Sequence, residues 1–392
     1  MRLEIVRATR FGADPGRARH RTDDPNVPGS RPHGRQAPFV GPVAFVLAQT
    51  ARGGTEQQAA LLVRALVLAG VDVDVFVLTG PLEDCDFGSA SVVSLSKTRE
   101  GVAGLLGVFH ASLRLAVLLR RRRYLVMHAG LARAHVLGPM LAPRRTRAVA
   151  WRRNLGDHSE TSWFLSWLEF RASKRCDLII ANSQAVAEYW INRRNVGRDG
   201  IRVIPNALEA WRFVPTQTSI GRTSEIKLLS VGNLRSVKGH AVLLEAAAEL
   251  RRSGSDIRVT ILGEGPLRDC LQTQAKALGV PLDLPGHVFD TRPYLAAADL
   301  YVHPSLSEGA SNAIAEAMAQ GCGIVSTTVG GAREMLGPLG FFVAPADPMD
   351  LAKGIETALK SPSRRRDMQA RALGMFSIDA VVDAHIDAYQ GR

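Results

Sequence analysis

Short apolar runs alternate with helical stretches along almost the whole chain from Pro42 onward. VAFVLAQ (43–49) and VDVFVLT (73–79) have the length and β-branched content of buried strands, and the helix-forming segment TEQQAALLVRALVLAG (55–70) lies between them. Repetition of strand, helix and strand is typical of parallel sheets covered by helices on both faces. The sequence therefore predicts an α/β fold.

A polar stretch divides this alternation into two series. VPTQTSIGRTSE (214–225) lacks helical or strand periodicity, which is typical of a linker. A second series begins with IKLLSVGN (226–233) and ends with FFVAP (341–345). Because 392 residues exceed one ordinary core, we expect two doubly wound domains, each binding ligands beyond the carboxyl ends of its strands.

The net positive charge favours an anionic partner but does not identify it. The net charge is +12 and the pI is about 10.1, which suits nucleic acid, anionic lipid, ligand phosphates or simply a basic solvated surface. Only 6% of residues are aromatic and no recognition motif accompanies the arginines, which argues against nucleic acid. The four cysteines are far apart and form no C-x-x-C pair, as expected for a reducing, cytoplasmic compartment.

Two segments bear on membrane contact. Residues 1–40 lack the apolar core of a signal peptide, and their mixture of Arg, Pro, Gly and Asp predicts a disordered leader. Residues 101–119 are nearly long enough for a membrane span, but His110 and Arg114 interrupt them. A crossover helix is the simpler interpretation, and peripheral contact with the inner face of the cell membrane remains the alternative.

The segment EGASNAIAEAMAQG carries two glutamates, Glu308 and Glu316, around a predicted helix start. Ser311 or Asn312 would cap this helix, and the amides of Ala310, Ser311 and Asn312 would favour a phosphate. Ionised glutamates only accept hydrogen bonds, so we expect them to bind hydroxyls on either side of that phosphate. This spacing suits a sugar nucleotide. A capping or surface role for both glutamates remains the alternative.

Two further loops follow predicted strands of the second domain. SVGNLRSVKGH places Arg235 and Lys238 where they would neutralise a diphosphate leaving group, although solvated loop charges would look the same. ILGEGPLRD supplies Gly263 and Gly265, which would let the backbone approach a ligand. A plain turn explains that glycine pair equally well.

These segments, together with VIPNALEAWRF and AAADLYVHPSLSEGASNAIAEAMAQGCGIVSTTVGGAREML, resemble the retaining glycosyltransferases of family 4. The similarity runs from about Ala44 to the C-terminus, and the E-x7-E segment with its helix is its specific part. The resemblance implies the GT-B fold, in which two Rossmann-like domains face each other across a cleft and a terminal helix returns to the first domain. The predicted divisions are a leader (1–40), an acceptor-binding domain (41–213), a nucleotide-sugar-binding domain (214–375) and the returning helix (376–392).

The resemblance also implies roles for individual residues. Glu308 would contact the donor sugar, Glu316 the ribose hydroxyls, and Arg235 and Lys238 the diphosphate. Many relatives carry arginine directly after the glycine of the first loop, where this chain has Asn233, so Arg235 is the expected substitute. The predicted catalytic residues are Arg235, Lys238 and Glu308, and the predicted donor-binding residues are Gly53, Gly54, Gly232, Asn233, Gly263, Gly265, Gly309, Ala310, Ser311, Asn312 and Glu316.

The acceptor side is less defined by the sequence. Many relatives use a histidine near the segment WRRNLGDHSE, where this chain offers Arg152, Arg153 and Asn154. These residues suggest an acceptor with anionic groups. His128, at the end of YLVMH, matches a histidine common in the family, although a histidine at a strand end is commonly structural.

The sequence thus predicts a retaining, hexosyltransferase-type enzyme. It would move a sugar from a nucleotide-diphosphate sugar to a glycan or lipid-linked acceptor in polysaccharide, lipopolysaccharide or glycolipid synthesis.

Of two D-x-D pairs, Asp72/Asp74 and Asp84/Asp86, only the second suits a metal. The pair Arg235 and Lys238 already supplies positive charge for the leaving group, so no cofactor or essential metal is expected. A non-catalytic nucleotide- or glycan-binding protein, a sugar-nucleotide epimerase and a charge-driven surface protein stay open as alternatives.

Overall fold

The chain forms two compact units. The computed structural model describes residues 41–50, 54–80, 85–96, 101–130, 132–153, 163–194, 197–216 and 224–391. The first unit contains the described residues up to Ala207 and those from Ile378 onward, and the second comprises Leu208–Ser377. The chain thus passes between units a few residues before the predicted boundary. The predicted leader (1–40) and most of the predicted linker (217–223) lie outside the described residues.

Among its described residues, the first unit has a seven-stranded parallel sheet in the order β3-β2-β1-β4-β5-β6-β7. The order reverses between β1 and β4, which makes their carboxyl ends a ligand-binding position in folds of this type. The strands are β1 (Val43–Leu47), β2 (Val73–Val77), β3 (Ser91–Ser94), β4 (Val126–Gly130), β5 (Arg147–Arg152), β6 (Leu178–Ala181) and β7 (Ile201–Val203).

Helices cover both faces of this sheet. Because side chains alternate along a strand, Phe45 and Leu47 pack with the first and last helices, whereas Ala44 and Val46 pack with the second and third. The helices of this unit are α1 (Gly54–Leu68), α2 (Gly101–Arg121), α3 (Ala132–Leu141), α4 (Trp163–Ser173), α5 (Gln184–Arg194) and, at the end of the chain, α13 (Ile378–Gln390).

The second unit has a six-stranded parallel sheet in the order β10-β9-β8-β11-β12-β13. Here the order reverses between β8 and β11. The strands are β8 (Ile226–Val231), β9 (Ile257–Leu262), β10 (Leu282–Gly286), β11 (Leu300–His303), β12 (Ile324–Thr327) and β13 (Phe341–Val343). The helices are α6 (His240–Arg252), α7 (Arg268–Leu278), α8 (Arg292–Ala297), α9 (Asn312–Ala319), α10 (Ala332–Leu336), α11 (Pro348–Lys360) and α12 (Arg365–Phe376).

These two doubly wound sheets confirm the predicted α/β class. The predicted strands are present with trimmed ends, whereas β3 was missed because its four residues, SVVS, are too short for a periodic pattern. The apolar segment 101–119 forms most of α2, as the crossover-helix interpretation predicts. Among the described residues, no helix combines the length and apolarity that crossing a bilayer requires.

Candidate active site

An ion pair joins the two sides of the switch point in the second unit. Lys238 ends a short 3-10 turn after β8, and Glu308 lies in the loop after β11. The Lys238 ammonium donates a hydrogen bond to Glu308 Oε2, and the hydroxyl of Ser305 lies 3.4 Å from the same oxygen. The structure therefore brings together two of the three predicted catalytic side chains at the carboxyl ends of neighbouring strands.

Glu308 stays ionised although it is largely buried. Burial alone would raise the pKa of this carboxyl group, but His303 and the Lys238 ammonium outweigh that effect and lower the pKa to about 2. The Nε2 atom of His303 lies 3.6 Å from Glu308 Oε2. At neutral pH, Glu308 is thus an acceptor of hydrogen bonds and has no proton to donate.

The second glutamate lies on α9, one turn into the helix. Glu316 Oε2 accepts a 2.6 Å hydrogen bond from Thr291 Oγ1, and Nη1 of Arg212 lies 3.1 Å away from it. The side chains of Glu316 and Arg212 are 16% and 17% exposed, so the carboxylate stays accessible to a ligand. Sequence reasoning found Glu316 and missed Thr291 and Arg212, because both lie far from it in the chain.

The start of α9 has the predicted form. Ser311 is the N-cap residue, with its hydroxyl accepting a 3.4 Å hydrogen bond from the amide of Ile314. Gly309 and Ala310 precede it in the loop, and Asn312 is the first helical residue. The first-turn amides of such a helix point along its axis and carry partial positive charge, which favours an anion at this end.

Glycines hold the loops of this site against one another. A Cβ atom at Gly263 would lie 2.1 Å from the carbonyl oxygen of Gly232, and one at Gly265 would lie 2.6 Å from that of Leu234. Gly263 and Gly265 thus bring the loop after β9 against the loop after β8; close approach to a ligand, the predicted role, stays a prediction.

A third glycine supports the Glu308 loop in the same way. Gly330 has a φ of +58°, and a Cβ atom there would lie 2.1 Å from the carbonyl oxygen of Glu308. The neighbouring amide of Gly331 donates a 2.7 Å hydrogen bond to the carbonyl oxygen of Gly309. The sequence contained a signal for this support, the G-G pair after β12, which the prediction of site residues did not use.

The other two loop residues predicted after β8 point outward. Arg235 and Asn233 are exposed, and among the described residues Arg235 has no ion-pair partner within range. Gly232 lies against the side chain of Lys238, since a Cβ atom there would be 3.4 Å from Lys238 Cδ. Arg235 is therefore accessible to an anion, whereas Lys238 is already held by Glu308.

An aromatic stack lies close to Glu316. The rings of Trp211 and Phe289 are stacked with centroids 5.9 Å apart, and the guanidinium groups of Arg212 and Arg292 lie 4.4 and 4.6 Å from the Trp211 ring centroid. Phe289 is 72% exposed and is two residues from Thr291, the partner of Glu316. A large exposed ring fixed from behind is a platform on which a planar group could stack.

In the first unit, the predicted residues are only partly described. Gly53 and Asn154 lie outside the described residues, and Gly54 is the exposed first residue of α1. Nη1 of Arg153 donates a 3.2 Å hydrogen bond to the carbonyl oxygen of Thr55, and its guanidinium lies over the Trp151 ring. Arg153 therefore ties the end of β5 to the start of α1, both at the carboxyl edge of the sheet.

Arg152 and His128 are buried inside the first unit. Arg152, 2% exposed, donates a 2.7 Å hydrogen bond to Glu169 and contacts His135 and the Trp190 ring. His128 is fully buried, and its Nδ1 atom lies 2.7 Å from the hydroxyl of Tyr389. These contacts give both residues structural roles and argue against direct contact with an acceptor. The sequence did not reveal the burial of Arg152, because the pattern RRN shows charge and not the direction of each side chain.

The described aspartates of the two D-x-D pairs form ion pairs with arginines. Asp72 and Asp74 form ion pairs with Arg122, and Asp86 forms one with Arg64. Asp84 lies outside the described residues. Within the part of the chain that is described, no group of three or more His, Cys, Asp or Glu side chains is placed to hold a metal ion.

Comparison with known families decides what this architecture is. The family model "Glycosyltransferase Family 4" matches residues 52–212, and the model "Glycosyl transferases group 1" matches residues 217–374. Together they match most of both doubly wound units. The chain belongs to the family 4 glycosyltransferases. The membership of family 4 expected from the sequence is thereby confirmed, and with it the GT-B fold; retention of anomeric configuration stays a prediction.

Two relatives show how far the similarity extends. The lipopolysaccharide core biosynthesis glycosyltransferase LpsE of Rhizobium meliloti is 29% identical over 85% of this chain and 95% of its own length. A Campylobacter jejuni N-acetylgalactosaminyltransferase, which by its name acts on a diphospho-undecaprenol-linked sugar, is 29% identical over 50% of this chain. The chain spans 55% of that enzyme's length.

Solved structures agree on the fold of this glycosyltransferase. HepE of Anabaena, crystallised with UDP, superposes with a TM-score of 0.74 at 20% identity, covering 89% of this chain and 100% of that one. Sucrose-phosphate synthase of Thermosynechococcus elongatus gives a TM-score of 0.73 at 19% identity, covering 89% and 98%. At these identities the likeness concerns the fold alone.

Proposed function

We propose that this glycosyltransferase takes a nucleotide-diphosphate sugar as donor and transfers the sugar, with retention of anomeric configuration, to an acceptor hydroxyl. The observation that carries the proposal is the Lys238–Glu308 pair at the switch point between β8 and β11, beside the start of α9. A cation, an ionised acceptor and a helix N-terminus meet there, as a diphosphate flanked by sugar hydroxyls requires.

The diphosphate would lie between the basic loop and α9. The Lys238 ammonium has three donors and gives one to Glu308, so it can also bind a phosphate oxygen. Arg235, exposed in the same loop, would bind the diphosphate from the other side. Together they would stabilise the negative charge that develops on the leaving group.

The nucleoside would be held at Glu316. Ribose hydroxyls would join Thr291 as donors to the Glu316 carboxylate, since the Glu316 side chain is 16% exposed although Thr291 is buried. The base would then reach the exposed ring of Phe289, which Trp211 supports from behind. Stacking of this kind suits any base, so it does not choose among uracil, guanine and adenine.

Glu308 would bind the donor sugar and would not act as an acid. With a pKa of about 2, its carboxylate can accept hydrogen bonds from sugar hydroxyls but cannot protonate a leaving oxygen at neutral pH. In the proposed front-face reaction, the bond from the anomeric carbon to the phosphate oxygen breaks, and the acceptor oxygen bonds to that carbon on the same face. The acceptor proton passes to the diphosphate, so no side-chain nucleophile, cofactor or metal is needed.

The biological substrate is proposed from the relatives. LpsE is named for lipopolysaccharide core synthesis and the Campylobacter enzyme for a lipid-diphosphate-linked substrate. We therefore place this chain in the synthesis of a cell-surface glycan, with a glycan or lipid-linked acceptor.

Product analysis by NMR tests this function. Wild-type protein would be incubated with UDP-, GDP- and ADP-hexoses in the presence of a metal chelator, with Lys238→Met as the inactive reference. One donor class should release its nucleoside diphosphate and yield transferred or hydrolysed sugar with the donor's anomeric configuration. An inverted anomer would overturn retention, interconverted sugar nucleotides would indicate an epimerase, and bound but unchanged donor would indicate a binding protein.

A further inference from the structure

Helix α2 has two apolar faces, of which only one is covered. Ala111, Leu115 and Leu119 are fully buried against the sheet of the first unit. On the opposite side Leu106, Phe109, Leu113 and Val117 are 67, 65, 54 and 47% exposed. A helix on the surface of a soluble protein normally presents polar residues to water, so this second apolar face requires an explanation.

The exposed residues form one continuous stripe. Their spacings of three and four residues place them one above another along the same side of the helix. Arg120 continues this stripe at its C-terminal end, and Arg121 lies beside it; both are exposed. The stripe therefore runs from apolar side chains into exposed cations.

The two following helices carry further exposed apolar side chains. Helix α3 contacts both α2 and α4. Met140 on α3 is 42% exposed, and Trp167 and Phe170 on α4 are 50% and 38% exposed. Leu68 and Leu125 are the other exposed large apolar side chains among the described residues of this unit. We name the surface formed by Leu106, Phe109, Leu113, Val117, Met140, Trp167 and Phe170 the α2–α4 face.

Positive charge accompanies the aromatic residues on α4 as well. The Arg171 guanidinium lies 5.9 Å from the Trp167 ring centroid, and the Lys174 ammonium lies 5.6 Å from that of Phe170. Helices α2 and α3 contain no acidic residue, and Glu169, the acidic residue of α4, is buried against Arg152. The charge that the described side chains of these helices present to solvent is thus entirely basic.

From this combination we infer that the α2–α4 face docks on an anionic lipid bilayer. The apolar stripe would enter the boundary between headgroups and acyl chains, as an interfacial amphipathic helix does. Trp167 would lie at the headgroup level, where tryptophan is enriched. Arg120, Arg121, Arg171 and Lys174 would bind lipid phosphates along the edge of the buried area.

This inference does not rest on the proposed donor or reaction. A bilayer is favoured over a second copy of the chain because the exposed charges on the described residues of α2, α3 and α4 are basic, and pairing two such faces would bring like charges together. The consequence for function is that the first unit would stand on the membrane, where a lipid-linked acceptor is reached without leaving the bilayer.

Vesicle flotation with the full chain tests the inference. The probes are vesicles of phosphatidylglycerol with phosphatidylcholine, and vesicles of phosphatidylcholine alone. We expect binding to the anionic vesicles that weakens as salt is raised. Phe109→Ser/Leu113→Ser should weaken it about tenfold or more, since two large apolar side chains lose their burial. Arg120→Gln/Arg121→Gln should weaken it by a similar factor, at roughly fivefold per arginine.

Matched controls distinguish binding through the α2–α4 face from non-specific hydrophobic or electrostatic binding. Leu68→Ser removes an exposed leucine from α1, on the other side of the sheet, and Arg198→Gln/Arg366→Gln removes two exposed arginines from elsewhere. Both should bind as the wild type does, and thermal unfolding should show every variant folded. Absence of binding, or equal binding by all variants, would overturn the inference. So would a wild-type dimer that Phe109→Ser/Leu113→Ser converts to monomer, because the face would then join two copies.

Discussion

Lys238 donates a hydrogen bond to Glu308, a residue 70 positions further along the chain. The pair links the loops after β8 and β11, which are adjacent strands although two other strands separate them in sequence. Such an ion pair balances the charge of the lysine and holds its ammonium at the proposed diphosphate position. The relationship gives Lys238 a role that can be measured separately from the nucleoside contacts.

We expect Lys238→Met to weaken binding of a nucleoside diphosphate by about 10- to 100-fold, because hydrogen bonds to charged groups contribute roughly 1.5–3 kcal/mol. Binding of the corresponding monophosphate should change much less. Titration calorimetry measures both affinities. Lys227→Met, at the opposite end of β8, is the matched control. Equal losses of affinity for the diphosphate and the monophosphate would show that Lys238 does not contact the diphosphate.

Gly330→Ala should displace the Glu308 loop, since the new methyl group would lie 2.1 Å from the Glu308 carbonyl oxygen. Gly279 also has a positive φ, +66°, but has no atom within 4 Å of the same position. Gly279→Ala should therefore cost only backbone strain, about 1–2 kcal/mol of unfolding free energy. Urea unfolding and nucleotide titration measure both variants. If Gly330→Ala behaves as Gly279→Ala does, the glycine does not position the loop.

Arg152→Met should destabilise the first unit by about 3–5 kcal/mol, because it breaks a buried ion pair and removes the cation that donates to the Glu169 carboxylate. Arg152→Met/Glu169→Met should recover much of that loss, since the buried carboxylate is then removed as well. Chemical unfolding of the three proteins measures this coupling. A stable Arg152→Met protein that no longer transfers sugar would instead support the acceptor contact predicted from the sequence.

Acid should destabilise the protein through its buried histidines. Burial lowers the pKa of His385 and of His240 to about 4, from an ordinary value of 6.5. The burial of these two neutral histidines contributes its full stability above pH 6.5, and that stability is lost as the pH falls towards 4. The reason is that the same histidines bind protons in the unfolded chain over this range, whereas in the folded chain they stay neutral. Each histidine would cost roughly 3 kcal/mol across this window.

The histidine prediction is checked by following thermal unfolding between neutral pH and about pH 4. His385→Phe keeps an aromatic ring beside His128 and Trp151 and removes the titration, so its pH dependence should be shallower. His287→Gln, which changes an exposed histidine, should follow the wild type. Parallel curves for His385→Phe and the wild type would contradict the assignment.

Patterns local in the chain predicted much of this architecture. Alternating strands and helices gave two doubly wound sheets, and the E-x7-E spacing placed Glu308 and Glu316 on either side of the α9 start with Ser311 as its cap. Contacts between distant segments were not predictable in this way. Thr291 and Arg212 reach Glu316, and Gly330 reaches the Glu308 loop, only after the chain has folded. The direction of the Arg152 side chain could not be predicted either, because the sequence does not specify whether an arginine at a strand end faces solvent or a buried partner such as Glu169.

The donor site is tested most directly by thermal-shift screening against UDP-, GDP- and ADP-sugars, with Glu316→Ala measured in parallel. Glu356→Ala, which removes a glutamate paired with Lys360 on the surface of α11, is the control. We predict that one nucleotide class raises the unfolding temperature of the wild type and of Glu356→Ala, and that Glu316→Ala loses this rise because the ribose hydroxyls lose their acceptor. Stabilisation that is the same in Glu316→Ala, or absent with every nucleotide sugar, would contradict a donor site at α9.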